Sequence, residues 1–144
     1  YYISNTAYTF DINQRTIEEK KEWFHQFKNS ETSICLVGYE NDELVGFVCS
    51  IKFREKEAYN QSLETSVYIR EKFKGRGFGK KLMFELITRL KSTNIKNLYA
   101  LITYPNKTSI KLHKTLNFKK VGTLNNVGYK FKKYWSVHIY ELKL

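Results

Sequence analysis

The stretch LETSVYIREKFKGRGFGKKLMFELITRL (Leu63–Leu90) changes its period partway along. Its first eight residues, LETSVYIR (63–70), carry the β-branched and aromatic side chains of a strand. From Phe78 onward, Leu82, Met83, Leu86, Ile87 and Leu90 recur at i, i+1, i+4, i+5 and i+8, one apolar stripe of a helix. Between them lies a basic turn with Gly75, Gly77 and Gly79 at every second position. A dinucleotide fingerprint needs G-x-G-x-x-G, and here the third glycine comes one residue early. A P-loop needs four residues between its glycines and a Lys-Ser/Thr after them, whereas here three intervene and Lys80-Lys81 follow. What remains is a strand, a glycine-dense turn and a helix start. This arrangement aims unpaired N–H groups and the positive helix end at one spot, where missing β-carbons admit an anion such as a pyrophosphate. A solvated basic turn would use the same residues.

The pattern extends outward on both sides. Thr16-Ile17-Glu18-Glu19 has the capping-box form, and Ile17, Trp23, Phe24 and Phe27 follow at near-helical spacing, so a helix is expected over 17–28. SICLVGYE (33–40) and LVGFVCSIKF (44–53) flank the Asn41–Asp42 turn signal and read as a hairpin. A three-residue loop over 41–43 would set Cys35 directly opposite Cys49. Without a secretion signal, two buried free thiols are expected there instead of a disulfide, and no ligand set for zinc surrounds them. LYALITY (98–104) reads as a strand and SIKLHKTL (109–116) as a short helix, with Asn106 as N-cap and Asn117 at its left-handed end. FKKVGTL (118–124) and YWSVHIYEL (134–142) are two last strands. The order predicts one α+β domain over 1–144, a mixed sheet with helices layered on it and no internal repeat.

Composition bounds the function. The 144 residues are 42% hydrophobic and 16% aromatic with a single proline, enough for one sizeable core and unlike a disordered chain. No run approaches the roughly 18 apolar residues of a membrane helix, and no signal peptide opens the chain, so a cytoplasmic protein is expected. Residues 1–72 carry nine Lys/Arg against twelve Asp/Glu, a net of −3, whereas residues 73–144 carry sixteen against two, a net of +14. The second half is the anion-attracting half.

Lys74-Gly75-Arg76-Gly77-Phe78-Gly79 between strand and helix resembles the Arg/Gln-x-x-Gly-x-Gly/Ala signature of the GCN5-related N-acetyltransferase (GNAT) superfamily, with Lys74 in the place of the usual Arg or Gln. TFDINQRT, FR…AYNQSLETSVYI, PNKTSIKLHKTLNF and VGTLNNVGYKF with YWSVHIYEL extend the likeness over nearly the whole chain. They resemble the phosphinothricin and methionine-sulfoximine acetyltransferase branch. The resemblance implies a GNAT fold, a twisted mixed sheet flanked by helices. Members usually begin with one more strand and most of a helix ahead of the stretch matching Tyr1–Asn5, so the domain is expected to be incomplete at its N-terminus.

The resemblance also implies acetyl-CoA as co-substrate, no metal, and a cleft where the strands 63–70 and 98–104 splay apart. By position, Val67, Tyr68 and Ile69 would hold the pantetheine arm. Lys74, Gly75, Arg76, Gly77, Phe78, Gly79 and Lys80 would hold the pyrophosphate, and Asn106 and Ser109 would complete the cofactor site. Glu64 matches the general base. His113 stands where many members carry the tyrosine that protonates the leaving thiolate. A thiol pKa of about 8.5 and an imidazole pKa of about 6.5 make that transfer feasible. Arg54 in the FRxxxAY segment is the candidate for the acceptor's carboxylate, with Lys56, Tyr59, Thr65 and Ser66 beside it.

Two departures fall where the acceptor should lie. Phe131 replaces a His of the phosphinothricin enzymes, and Ser136 replaces the Asp of their W-x-D-V segment. The expected activity is acetyl transfer to the amine of a small amino-acid-like acceptor, with no membrane partner and with homodimers common among relatives. A protein or peptide N-acetyltransferase using the same cofactor site is the alternative, and the excess positive charge argues against cationic aminoglycosides. A basic nucleic-acid-binding module, using the aromatics interleaved with lysines at 129–135, is the remote reading.

Overall fold

The computed structural model describes all 144 residues. Two helices, α1 (Tyr2–Asn5) and α2 (Ile17–His25), precede a hairpin of β1 (Cys35–Glu40) and β2 (Glu43–Lys52). Then come β3 (Ser62–Ile69), α3 (Phe78–Leu90), β4 (Asn97–Tyr104), α4 (Lys107–Thr115) and a second hairpin of β5 (Lys119–Lys130) and β6 (Lys133–Lys143). The six strands form one open mixed sheet in the order β1-β2-β3-β4-β6-β5. Only β3 and β4 run parallel, because the crossover helix α3 joins them.

The apolar stripe of α3 explains the core. Met83, Leu86 and Leu90 are fully buried against Val48, Leu63 and Leu98 of the sheet, and Leu116 and Phe118 after α4 join the same cluster. Truncating one of these to alanine costs about 2–5 kcal/mol. On the opposite face lies α2, with the Trp23 ring 6.4 Å from that of Phe47. Its expected capping box is present. Glu19 N–H donates to Thr16 Oγ1 at 3.1 Å, and Thr16 N–H donates to the Glu19 carboxylate at 2.7 Å.

Several expected boundaries shift for local reasons. The first hairpin turns on two residues, Asn41 and Asp42, both with positive φ (48° and 63°), and not on three. A register shift between Gly38 and Tyr39 then restores the pairing of Cys35 with Cys49. Both thiols are free, and burial raises both, Cys49 to about 12. α2 stops at His25, three residues early, and α4 runs 107–115 against the expected 109–116. β5 continues past the expected end at Leu124 through a register irregularity over residues 125–127, where Asn126 N–H donates to Ser136 Oγ at 3.1 Å.

Candidate functional site

β3 and β4 are paired only at Ser62/Asn97, Leu63/Leu98 and Glu64/Tyr99. At the next position the Thr65 hydroxyl donates to the Tyr99 carbonyl at 3.2 Å, taking an acceptor that a neighbouring strand would use. Beyond it the strands part, while β4 stays paired with β6 through Tyr104. Residues 65–69 and 100–103 therefore face each other across a cavity of about 590 Å³. Backbone without a strand partner on that side can pair with an extended, amide-bearing ligand.

The glycine turn closes one end of the cavity. Gly75 and Gly77 have φ of 75° and 83°, the left-handed region that glycine enters freely, and Gly77 is the N-cap of α3 with no side-chain cap bond. The first N–H groups of α3 are thus left for a ligand. A β-carbon at Gly79 would stand 3.4 Å from Leu112 and 3.6 Å from Ile69, so its absence keeps the slot between β3 and α4 open. Four basic side chains of this turn are paired with carboxylates. Arg76 pairs with Glu40 at 2.8 Å, Arg70 with Glu43 at 3.0 Å, Lys72 with Glu43, and Lys74 with Glu71. Arg76, expected to touch the anion, instead reaches away to β1 and does not line the cavity.

α4 forms the other wall. Asn106 caps it by accepting from Ser109 N–H at 3.1 Å, which leaves the Asn106 amide N–H groups as its free donors. His113 is buried, its ring edge-on to Phe118 at 5.0 Å. Its Nδ1 lies 2.8 Å from the Ser109 carbonyl, an acceptor, so the ring proton resides on Nδ1 and Nε2 carries none and has no partner. Burial lowers the pKa of His113 and keeps it neutral.

Of the expected residues, 65–69, 74, 75, 77–80, 106, 109 and 113 line this one cavity. Glu64 sits one residue before its wall, half-buried at the last β3/β4 pair, on the sheet face shared with Ser66 and Tyr68. Burial raises its carboxyl pKa, and nearby Arg54 offsets part of the rise. Arg54 itself lies over the Phe53 ring at 4.2 Å and donates to the Phe53 carbonyl at 2.8 Å, leaving its remaining N–H groups for a ligand. The same Phe53 ring stacks on Tyr99 at 4.4 Å and meets the edge of Tyr59 at 6.1 Å. Lys56 is exposed without a partner. Thr65 lines the cavity with its hydroxyl donating to the Tyr99 carbonyl, whereas Arg54, Lys56, Tyr59 and Phe131 lie outside its lining, Phe131 with a φ of 53° at the exposed tip of the β5/β6 turn. Tyr2 and Tyr8 line the cavity without having been expected. Tyr2 donates to the Ile69 carbonyl at 2.7 Å, a contact across 67 residues that no local pattern signals.

The model of the Acetyltransferase (GNAT) family matches residues 1–118. The chain belongs to this family. It is 36% identical over its whole length to a phosphinothricin N-acetyltransferase of Streptomyces coelicolor, 85% of which it spans. It is 26% identical over 99% of its length to an L-methionine sulfoximine/L-methionine sulfone acetyltransferase of Pseudomonas paraeruginosa, spanning 83% of that protein. Among solved structures, an N-acetyltransferase from Staphylococcus aureus Mu50 superposes with a TM-score of 0.95 at 35% identity, covering 99% of this chain and 86% of that one. The fold is also that of a GNAT phosphinothricin acetyltransferase from Sinorhizobium meliloti solved in complex with AcCoA, with a TM-score of 0.94 at 23% identity and coverage of 99% and 77%. The protein is an acetyltransferase of the GNAT type.

Proposed function

We propose that the protein transfers the acetyl group of acetyl-CoA to the amine of a small amino-acid-like acceptor of the phosphinothricin or methionine-sulfoximine kind. One observation carries this reading: β3 and β4 part immediately after Glu64 and open a cavity that ends at an uncapped, glycine-bordered helix start. That cavity suits a long ligand with an amide-bearing arm and an anionic end. Acetyl-CoA, when bound, supplies the acetyl thioester. The open backbone of residues 65–69 holds its arm, and the N–H groups at the start of α3 hold its pyrophosphate.

An ammonium cannot attack a thioester, and Glu64 is the base that accepts its proton, directly or through one water. Burial makes Glu64 a stronger base than an exposed carboxylate. The free N–H groups of Arg54, close to Glu64, suit the acceptor's carboxylate. The Nδ1 bond of His113 supports solvent, and not this imidazole, as the proton source for the departing thiol. Acetyl-CoA-dependent thiol release against a panel of amino acids, phosphinothricin, methionine sulfoximine and short peptides tests the reading. Release with an amino-acid analogue is expected; release with peptides alone would refute the acceptor class.

A further inference from the structure

Arg70, Lys72, Lys74 and Arg76 around the glycine turn are paired with Glu40, Glu43 and Glu71, so the unpaired lysines bordering the cavity are Lys80 at the start of α3 and a larger group on α4. Lys107, Lys111 and Lys114 recur at i, i+4 and i+7, on one exposed helix face, and none has a carboxylate within 4.0 Å. α4 contains no acidic residue, and Lys107 is its first residue, where the positive helix end repels a cation. α2 shows the usual arrangement, with Glu18 and Glu19 in its first turn. The three lysines, with Ile110 and Thr115, border a shallow groove of about 420 Å³. Lys111 and Thr115 also line the main cavity, so the groove continues that cavity outward past α4.

Resting on the acetyl-CoA reading, we infer that this groove holds the ribose 3′-phosphate of the cofactor, a dianion separate from the pyrophosphate at the glycine turn. Three unpaired ammonium groups on one face suit a compact, multiply charged anion, and a phosphate there removes the mutual repulsion that the lysines otherwise bear. The site then distinguishes CoA thioesters from their 3′-dephospho forms. It also accounts for positive charge in the second half of the chain that a pyrophosphate alone does not require.

Calorimetric titration of wild type and of Lys107→Gln/Lys111→Gln/Lys114→Gln with acetyl-CoA and with acetyl-3′-dephospho-CoA tests this. Glutamine keeps the length and helix propensity of lysine, and circular dichroism checks that the variant is folded. If the triple variant is unfolded, Lys111→Gln alone serves, with a smaller effect of the same pattern. Wild type is expected to bind acetyl-CoA at least tenfold more tightly than the dephospho form. The variant is expected to bind both equally, at the wild-type dephospho level. Equal wild-type affinities, or a variant that weakens both ligands alike, would overturn the inference while leaving acetyl-CoA binding intact. Competition by an acidic peptide but not by adenosine 3′,5′-bisphosphate would overturn it in favour of a macromolecular ligand. Failure of wild type to bind either thioester would remove the acetyl-CoA reading itself.

Discussion

Glu64 and Tyr99 are the last residues at which β3 and β4 stand side by side, so the carboxylate lies at the apex of the cleft that opens beyond them. The phenol of Tyr99 donates to Glu141 at 2.9 Å and its ring stacks on Phe53, which fixes the floor beside Glu64. The proposed base is thus placed by sheet register and not by a flexible loop.

That placement has a cost in stability. Folding raises the Glu64 pKa above its ordinary 4.5, so the protonated form is the one the fold favours. The stability this provides is present below about pH 4.5 and is lost as pH rises through the raised value. Glu64→Gln should therefore melt at a higher temperature than wild type at pH 7, with the gap closing toward pH 4. A lower melting temperature for the variant at pH 7 would contradict the assigned environment.

His113 has the opposite sign. Its pKa is lowered from 6.5, so its neutral form stabilises the fold above that pH, and the stability is lost as pH falls below it. In thermal melts from pH 7 to 5, His113→Phe should lose less stability than wild type. Equal slopes would mean that the buried imidazole does not titrate as described.

Gly77 and Gly79 should separate backbone strain from ligand access. Gly77→Ala forces a side chain into the left-handed region and should cost about 1 kcal/mol or more in denaturant unfolding. Gly79 lies inside α3, where alanine is favourable, so Gly79→Ala should keep its stability yet bind acetyl-CoA at least tenfold more weakly by filling the slot beside Leu112 and Ile69. Unchanged affinity in Gly79→Ala would show that the slot is not the cofactor's path.

Asn106→Ala removes the cap bond to Ser109 and should cost about 1 kcal/mol, or roughly 2–4 °C in melting temperature. Weaker acetyl-CoA binding should accompany it, because Asn106 also lines the cavity. A thermal melt paired with a titration reads both effects.

Much of this was legible where one residue type answers one local need. The α3 stripe and its glycine border gave both helix ends, Phe78 and Leu90, and the asparagines at 106 and 117 marked the limits of α4. The Cys35/Cys49 pairing was anticipated through the wrong turn, since a two-residue turn and a register shift together give the offset that one three-residue loop would. What stayed hidden depends on contacts between distant segments. Arg70, Lys72 and Arg76 of the turn are matched by Glu40 and Glu43 from another hairpin, and Tyr2 reaches Ile69 across the cavity. No spacing rule reports such pairings, so the loop looked more cationic, and α4 less distinctive, than they are.

The most direct test is a comparison of wild type with Glu64→Gln, measuring acetyl-CoA affinity by titration and acceptor-dependent thiol release side by side. The variant should bind acetyl-CoA as wild type does and turn over about a hundredfold or more slowly, the typical contribution of a positioned base. Turnover at the wild-type rate by Glu64→Gln would contradict Glu64 as the base at the apex of the cleft.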